Sequence, residues 1–225
     1  WLANFVIERR LPIFIITAAA VLFSTSFIFN NRLNDVWAEY FDTRTEIRQH
    51  ADYVRYHLTT NNTISYSLDS QEEGGISNPA FLQTVEQFSD WLSAQPEVLH
   101  VTTYTDIMKR LNKTMHNDDP AWYKIPDQRE LAAQYLLLYE FSLPFGLDLN
   151  NLLNSSKSST RITATVRDSS TDSILSLQRR SQDWMKEHAP KSLYHPGTSS
   201  DIMFAHMGYS NIRSMLEGAF IALLI

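Results

Sequence analysis

The chain has 225 residues, with 25 acidic side chains against 19 basic ones and a formal charge of −6. No Lys/Arg cluster is interleaved with aromatics, so nucleic acid is not an expected partner. Cysteine is absent, which excludes disulfides, thiolate metal ligands and cysteine nucleophiles together.

Residues 1–10 read as a short cytoplasmic lead-in ending in Glu8-Arg9-Arg10. From Leu11 to Phe29 the chain is uncharged and mostly apolar, and as a helix this run measures about 28 Å at about 1.5 Å per residue. That is close to the hydrocarbon thickness of a bilayer, so a transmembrane helix is predicted over 11–29. The basic flank lies before the run and Asp35, Glu39 and Asp42 come after it, which puts the N-terminus in the cytoplasm and residues 30–217 outside. A cleaved signal peptide is the alternative; the length of the apolar run and the lack of a small-x-small site argue against it.

In the outer segment, Ile64, Tyr66 and Leu68 alternate with Ser65 and Ser67, the period of a half-buried strand, up to a turn at Gly74-Gly75. Asn78-Pro79 supplies a helix cap and a favoured first helical residue, and Phe81, Leu82, Val85, Phe88 and Leu92 fall on one face. Gln95-Pro96 stops that helix, and Val98 to Tyr104 reads as a second strand, giving a β-α-β unit over 63–104.

Residues 105–159 read as a helical insertion. It begins with a short helix near Ile107–Met115 and continues into the loop Asn117-Asp-Asp-Pro-Ala-Trp122. A stronger helix follows, opened by Asp127 and Glu130 as a capping box. Leu131 to Phe141 is apolar almost all round, which predicts burial on more than one side, within this domain or against a neighbour. Pro144 and Gly146 end the helix, and Asn150–Ser159 reads as a polar linker.

A second β-α-β unit is expected over 160–207. Ile162, Ala164 and Val166 alternate with a polar face carrying Arg161 and Arg167. Ser170-Thr171 caps a helix with Ile174, Leu177, Ser181, Trp184 and Met185 on one side, and a closing strand is placed at Ile202–Met207. The expected fold class is therefore α+β: ferredoxin-like β-α-β subdomains, an antiparallel sheet with helices on one face, plus the insertion. Gly218–Ile225 reads as the start of a second membrane helix in which the chain stops.

Catalytic signatures are lacking. His50 and His57 are seven apart with no second ligand at a metal-binding spacing, and Asp118-Asp119 reads as a solvated turn. Ser155-Ser156-Lys157-Ser158 pairs a Ser with a Lys inside linker-like sequence. The chain is not expected to be an enzyme, no catalytic, cofactor-binding or metal residue is assigned, and no cofactor is expected.

Several long strings occur in order: Asn34-Asp-Val-Trp-Ala-Glu-Tyr-Phe-Asp42, Glu72-Glu-Gly-Gly-Ile-Ser-Asn-Pro79, Asp106-Ile-Met-Lys-Arg-Leu-Asn112 and Arg129-Glu-Leu-Ala-Ala-Gln-Tyr-Leu-Leu-Leu-Tyr139. With the order of parts, they resemble the resistance-nodulation-division (RND) superfamily of exporters. Within it they resemble the hydrophobe/amphiphile exporters related to the mycobacterial membrane protein large (MMPL) family.

The resemblance implies a proton-driven exporter of hydrophobic, amphiphilic or lipid-like compounds in a bacterial inner membrane. The chain would supply one membrane helix and one periplasmic porter domain, similar to those of the second half of such a transporter. Implied partners are the remaining membrane helices, the second porter domain, the lipid bilayer, the cargo and possible further copies of the protein. The proton-relay residues would lie in helices outside this chain. Trp122, Tyr123, Phe141 and Phe145 flank the insertion helix as candidate lining of an apolar cleft. From another class, the competing reading is a membrane-anchored extracytoplasmic sensor or ligand-binding module.

Overall fold

The computed structural model describes residues 2–27, 40–57, 60, 62–144, 146–167 and 171–224. The chain divides into two compact units, 1–34 and 35–225.

The first unit holds helices α1 (Leu2–Glu8) and α2 (Arg10–Ser26). Phe14, Ile16, Leu22 and Phe23 all point outward, and no residue of α2 is buried. At about 1.5 Å per residue, the 17 residues of α2 reach about 25 Å. No helix among the described residues is long and apolar enough to cross a membrane. The sequence run from Leu11 to Phe29 is longer than α2, and Ile28 and Phe29 lie outside the described residues, as does most of the string that begins at Asn34.

The second unit begins with α3 (Glu46–His57), which buries no residue. Strand β1 (Thr63–Asp69) follows, then α4 (Pro79–Ser93), β2 (Val98–Thr102), α5 (Tyr104–Met115) and α6 (Arg129–Ser142). Strand β3 (Ser159–Val166), α7 (Thr171–His188) and α8 (Ser200–Leu224) complete it. The sheet order is β1-β3-β2, and β3 is antiparallel to both neighbours, so β1 and β2 run parallel with β3 inserted between them. This is the split β-α-β arrangement that the two period-two segments imply.

Alternation sorts the sheet into two faces. Ile64, Tyr66 and Leu68 of β1 and Ile162, Ala164 and Val166 of β3 are buried, and they share one core with Leu82, Val85, Phe88 and Leu92 of α4 and with Ile174, Leu177 and Met185 of α7. Phe88 sets its ring edge-on to Tyr66 at 5.0 Å between centroids and lies 5.2 Å from Trp184. The other face carries Ser65, Ser67, Arg161, Thr163 and Thr165, which are half-buried or exposed. Helix α4 starts as its sequence dictates: Asn78 Oδ1 accepts from Ala80 N–H at 3.0 Å, and Pro79 occupies a position where a missing N–H costs nothing.

Three expectations are corrected. Residues 202–207, expected as a closing strand, lie inside α8. Ser199 caps this helix through its Oγ, which accepts from Ile202 N–H at 3.0 Å, while Ile202 and Ala205, three apart, are buried. A spacing of three suits a helix face, whereas a strand would bury alternate residues. The fourth-strand position beside β1 is held by one residue, Thr198, which exchanges two backbone hydrogen bonds of 2.9 Å with Ser65. Gly197 permits this approach, since a Cβ there would meet the Tyr66 ring at 2.5 Å.

The second correction is that no helix starts at Gly218: residues 218–224 continue α8 without a break from Ser200. The third concerns the capping box. Helix α6 has Gln128 at its N-cap with no side-chain bond, and Asp127 lies outside the helix, bonded to Lys124 Nζ at 3.3 Å.

Candidate functional site

Insertion helix α6 seats on the frame through one stripe. Ala132, Tyr135 and Leu136 are buried, and Leu131 and Tyr139 pack partly against the core. Tyr135 Oη donates to Asn112 Oδ1 at 3.3 Å, and Asn112 Nδ2 donates to the Lys124 carbonyl at 2.9 Å. One buried amide thereby joins α5, α6 and the loop between them. Ion pairs tie the two ends of α6 down: Arg129 to Glu72 at 2.7 Å and Lys157 to Glu140 at 2.6 Å.

The opposite stripe has no cover among the described residues. Leu137 and Leu138 are half exposed and Phe141 is 80 % exposed. Burial on more than one side, expected from the all-round apolar sequence, does not occur within this chain's described residues. Helix α6 therefore presents a convex apolar row.

The aromatic residues proposed to line a cleft do not converge on one. Trp122 stacks on His116 at 3.7 Å between ring centroids, with Lys124 Nζ 5.2 Å from its ring. Tyr123 receives Lys109 Nζ at 5.1 Å. Both rings are engaged by α5 and its following loop while staying partly exposed, Phe141 is the most exposed of the three, and Phe145 lies outside the described residues. Lys109 also pairs with Glu86 and, at 3.0 Å, with Asp106. Its burial disfavours the charged form, but the two carboxylates outweigh that and raise its pKa.

Two clefts open elsewhere. The first, of about 490 Å³, lies over the polar face of the sheet. Its lining includes Ser65, Ser67 and Arg161, with residues 150–154 as a wall and Thr198 at its border. The second, of about 360 Å³, shares Asn150, Leu153 and Asn154 with it and adds Leu143, Leu147 and Leu149. Neither is lined by Trp122, Tyr123 or Phe141.

No protein-family model matches this chain, and no curated protein matches it.

The wall between the clefts is not the loose linker expected for 150–159. Leu153 forms a bridge with Thr160, and Arg161 N–H donates to the Leu152 carbonyl at 2.7 Å. Asn154 Oδ1 accepts from Ser158 and Ser159 N–H at 2.9 and 3.0 Å, while its Nδ2 donates to Ser158 Oγ at 2.9 Å. An asparagine with serines two, four and five residues on is the sequence signal for such a knot.

The remaining titratable candidates are engaged locally. Asp119 Oδ1 accepts from Ala121 N–H at 2.9 Å, and Asp118 Oδ1 accepts from Thr114 Oγ1 at 3.3 Å. Lys157 is paired with Glu140, so its amine is committed away from the neighbouring serines. His57 Nδ1 bonds the Tyr53 carbonyl at 3.1 Å. Among the described residues, no three His, Asp or Glu side chains are grouped to hold a metal ion.

Proposed function

We propose that residues 30–217 are the periplasmic porter-type domain of an RND-superfamily exporter of hydrophobic or amphiphilic compounds, located in a bacterial inner membrane. The carrying observation is the outward apolar row Leu137, Leu138 and Phe141 on a helix clamped to a split β-α-β frame. Large apolar side chains held outward in a row favour a partner surface or an apolar cargo over bulk water, at about 25 cal/mol per Å² covered. The order of parts and the strings named for the resemblance support the same reading.

The membrane assignment rests on the sequence run Leu11–Phe29 and on α2, whose large apolar residues are exposed and which buries none. The apolar end of α8, with Leu216, Phe220 and Ile221 outward, supports a second membrane-embedded segment. In this reading α6 is a docking or sealing surface against the second porter domain or the cargo, and proton passage through other helices biases the open and closed states.

The test is export. In cells carrying the intact protein, Leu137→Ser, Leu138→Ser and Phe141→Ser combined lower efflux of an amphiphilic dye at least several-fold, while Thr165→Ala with Arg167→Ala leaves efflux near wild type. Equal effects at the two surfaces remove the docking role.

A membrane-anchored ligand-binding module is the second reading, favoured by the polar cleft on the open face of the sheet. It predicts that a small polar ligand binds there with no effect of the α6 row on any activity.

A further inference from the structure

The cleft over the open sheet face differs in charge from the rest of the chain. Acidic groups outnumber basic ones by 25 to 19, yet no carboxylate lines this cleft, and its one ionised side chain is Arg161. Several arginines of the fold are neutralised, Arg129 by Glu72, Arg180 by Glu97 at 2.6 Å and Arg213 by Glu217 at 2.8 Å, and none of these lines the cleft. The Arg161 side chain has no ion-pair or hydrogen-bond partner among the described residues.

The neighbouring polar groups divide into two sets. Asn154 commits its amide to the serines of its own turn, and Asn150 donates to Asp148 Oδ2, so these side chains build the wall. The hydroxyls of Ser65 and Ser67 and the amide of Asn151 bond no protein group among the described residues. The floor and wall are held by backbone bonds, Ser65 to Thr198 and Arg161 to Leu152, so the free groups stand on fixed supports. Preorganised donors on a rigid scaffold are what a weakly hydrated guanidinium needs to bind an oxyanion.

We propose that this cleft binds a small hydroxylated carboxylate of the sugar-acid class. Arg161 takes the carboxylate through its paired N–H donors, and Ser65, Ser67 and Asn151 take the ligand hydroxyls. A volume of about 490 Å³ fits a ligand of this size, and the cleft offers no aromatic platform for a flat apolar ring, since the Tyr66 side chain is buried in the core. The inference does not rest on the exporter reading.

The same head chemistry can arrive as a free acid or on a glycolipid, and the experiment separates the two. The full chain, isotope-labelled in detergent micelles, is titrated with sodium glucuronate, with neutral glucose, and with bicelles carrying a glucuronosyl lipid. Amide shifts at Ser65, Ser67, Asn151 and Arg161 with glucuronate, at an affinity about tenfold above glucose, are the expected result. Shifts there with the lipid alone assign the ligand to a membrane source. Arg161→Gln brings glucuronate down to the glucose level, while Arg167→Gln, on the exposed residue after the same strand, leaves it unchanged. Dispersed spectra of both variants show that the fold is kept. Glucose binding as tightly as glucuronate, an Arg161→Gln variant binding like wild type, or no localised shift from any of the three probes overturns the proposal.

Discussion

Helices α4 and α6 are nearly equal in length, 15 and 14 residues, and both are rich in large apolar side chains. Their fates differ because of spacing. In α4 the apolar residues recur at intervals of three and four, so one stripe takes Leu82, Val85, Phe88 and Leu92 into the core, with Phe81 and Trp91 flanking it and polar or small residues on the opposite side. In α6 they fill consecutive positions, so seating one stripe on the frame leaves the other outside. A helix can satisfy only as many faces as it has neighbours, and among the described residues only one side of α6 is covered.

Phe88 and Phe141 give this contrast its sharpest form, at 1 % and 80 % exposure. Phe88→Ala is expected to destabilise the domain by about 3–5 kcal/mol in urea unfolding, since it removes a ring packed on Tyr66, Trp91 and Trp184. Phe141→Ala is expected to change stability by less than about 0.5 kcal/mol. Similar losses at both sites would mean that α6 is a structural helix like α4.

Asn112→Ala tests the seat of α6. Its side chain is buried and bonds both Tyr135 and the Lys124 carbonyl, so removal leaves two groups short of a partner and is expected to cost about 1–3 kcal/mol. Hydrogen exchange should rise in α6 before it rises in β3. Uniform loosening of the whole unit would show that insertion and frame unfold together.

A smaller effect comes from the hydroxyl beneath α4. Burial pushes the Tyr66 pKa from 10.0 up to about 12, with Ser181 opposing this only in part. A raised acid pKa means that the folded state holds the neutral form. This contribution is complete below about pH 10, the unfolded value, and is lost as pH climbs through about 12. Melting temperature should therefore fall over that window, and less steeply in Tyr66→Phe. Tyr104, buried in the same core, shifts in the same direction and leaves a residual slope.

The frame was legible where a residue pattern has one physical solution. Alternation at Ile64–Leu68 and Ile162–Val166, the Asn78-Pro79 cap, and the apolar stripes of α4 and α7 all led to elements that exist. The sequence is ambiguous where two physical solutions compete. Ile202 to Met207 suits a strand by composition, but the Ser199 cap and the burial of Ile202 with Ala205 favour a helix. Asn150–Ser159 reads as a linker by composition because its order comes from an asparagine bonding its own serines and from backbone bonds to residues distant in sequence, such as Ser158 to Ser70 and Lys157 to Ile76. At the candidate site, the surplus apolarity of α6 is visible in the sequence, whereas the capture of Trp122 by His116 is not, because five residues of irregular backbone separate them.

The central proposal is that residues 30–217 work outside a membrane in which the apolar helical segments on either side of them are embedded. The chain has no cysteine, so a single reporter is unambiguous. Arg167→Cys in the intact protein, treated with a membrane-impermeant maleimide in cells with a permeabilised outer membrane, is expected to label fully while the inner membrane is intact. Labelling that appears only after the inner membrane is broken would contradict the account.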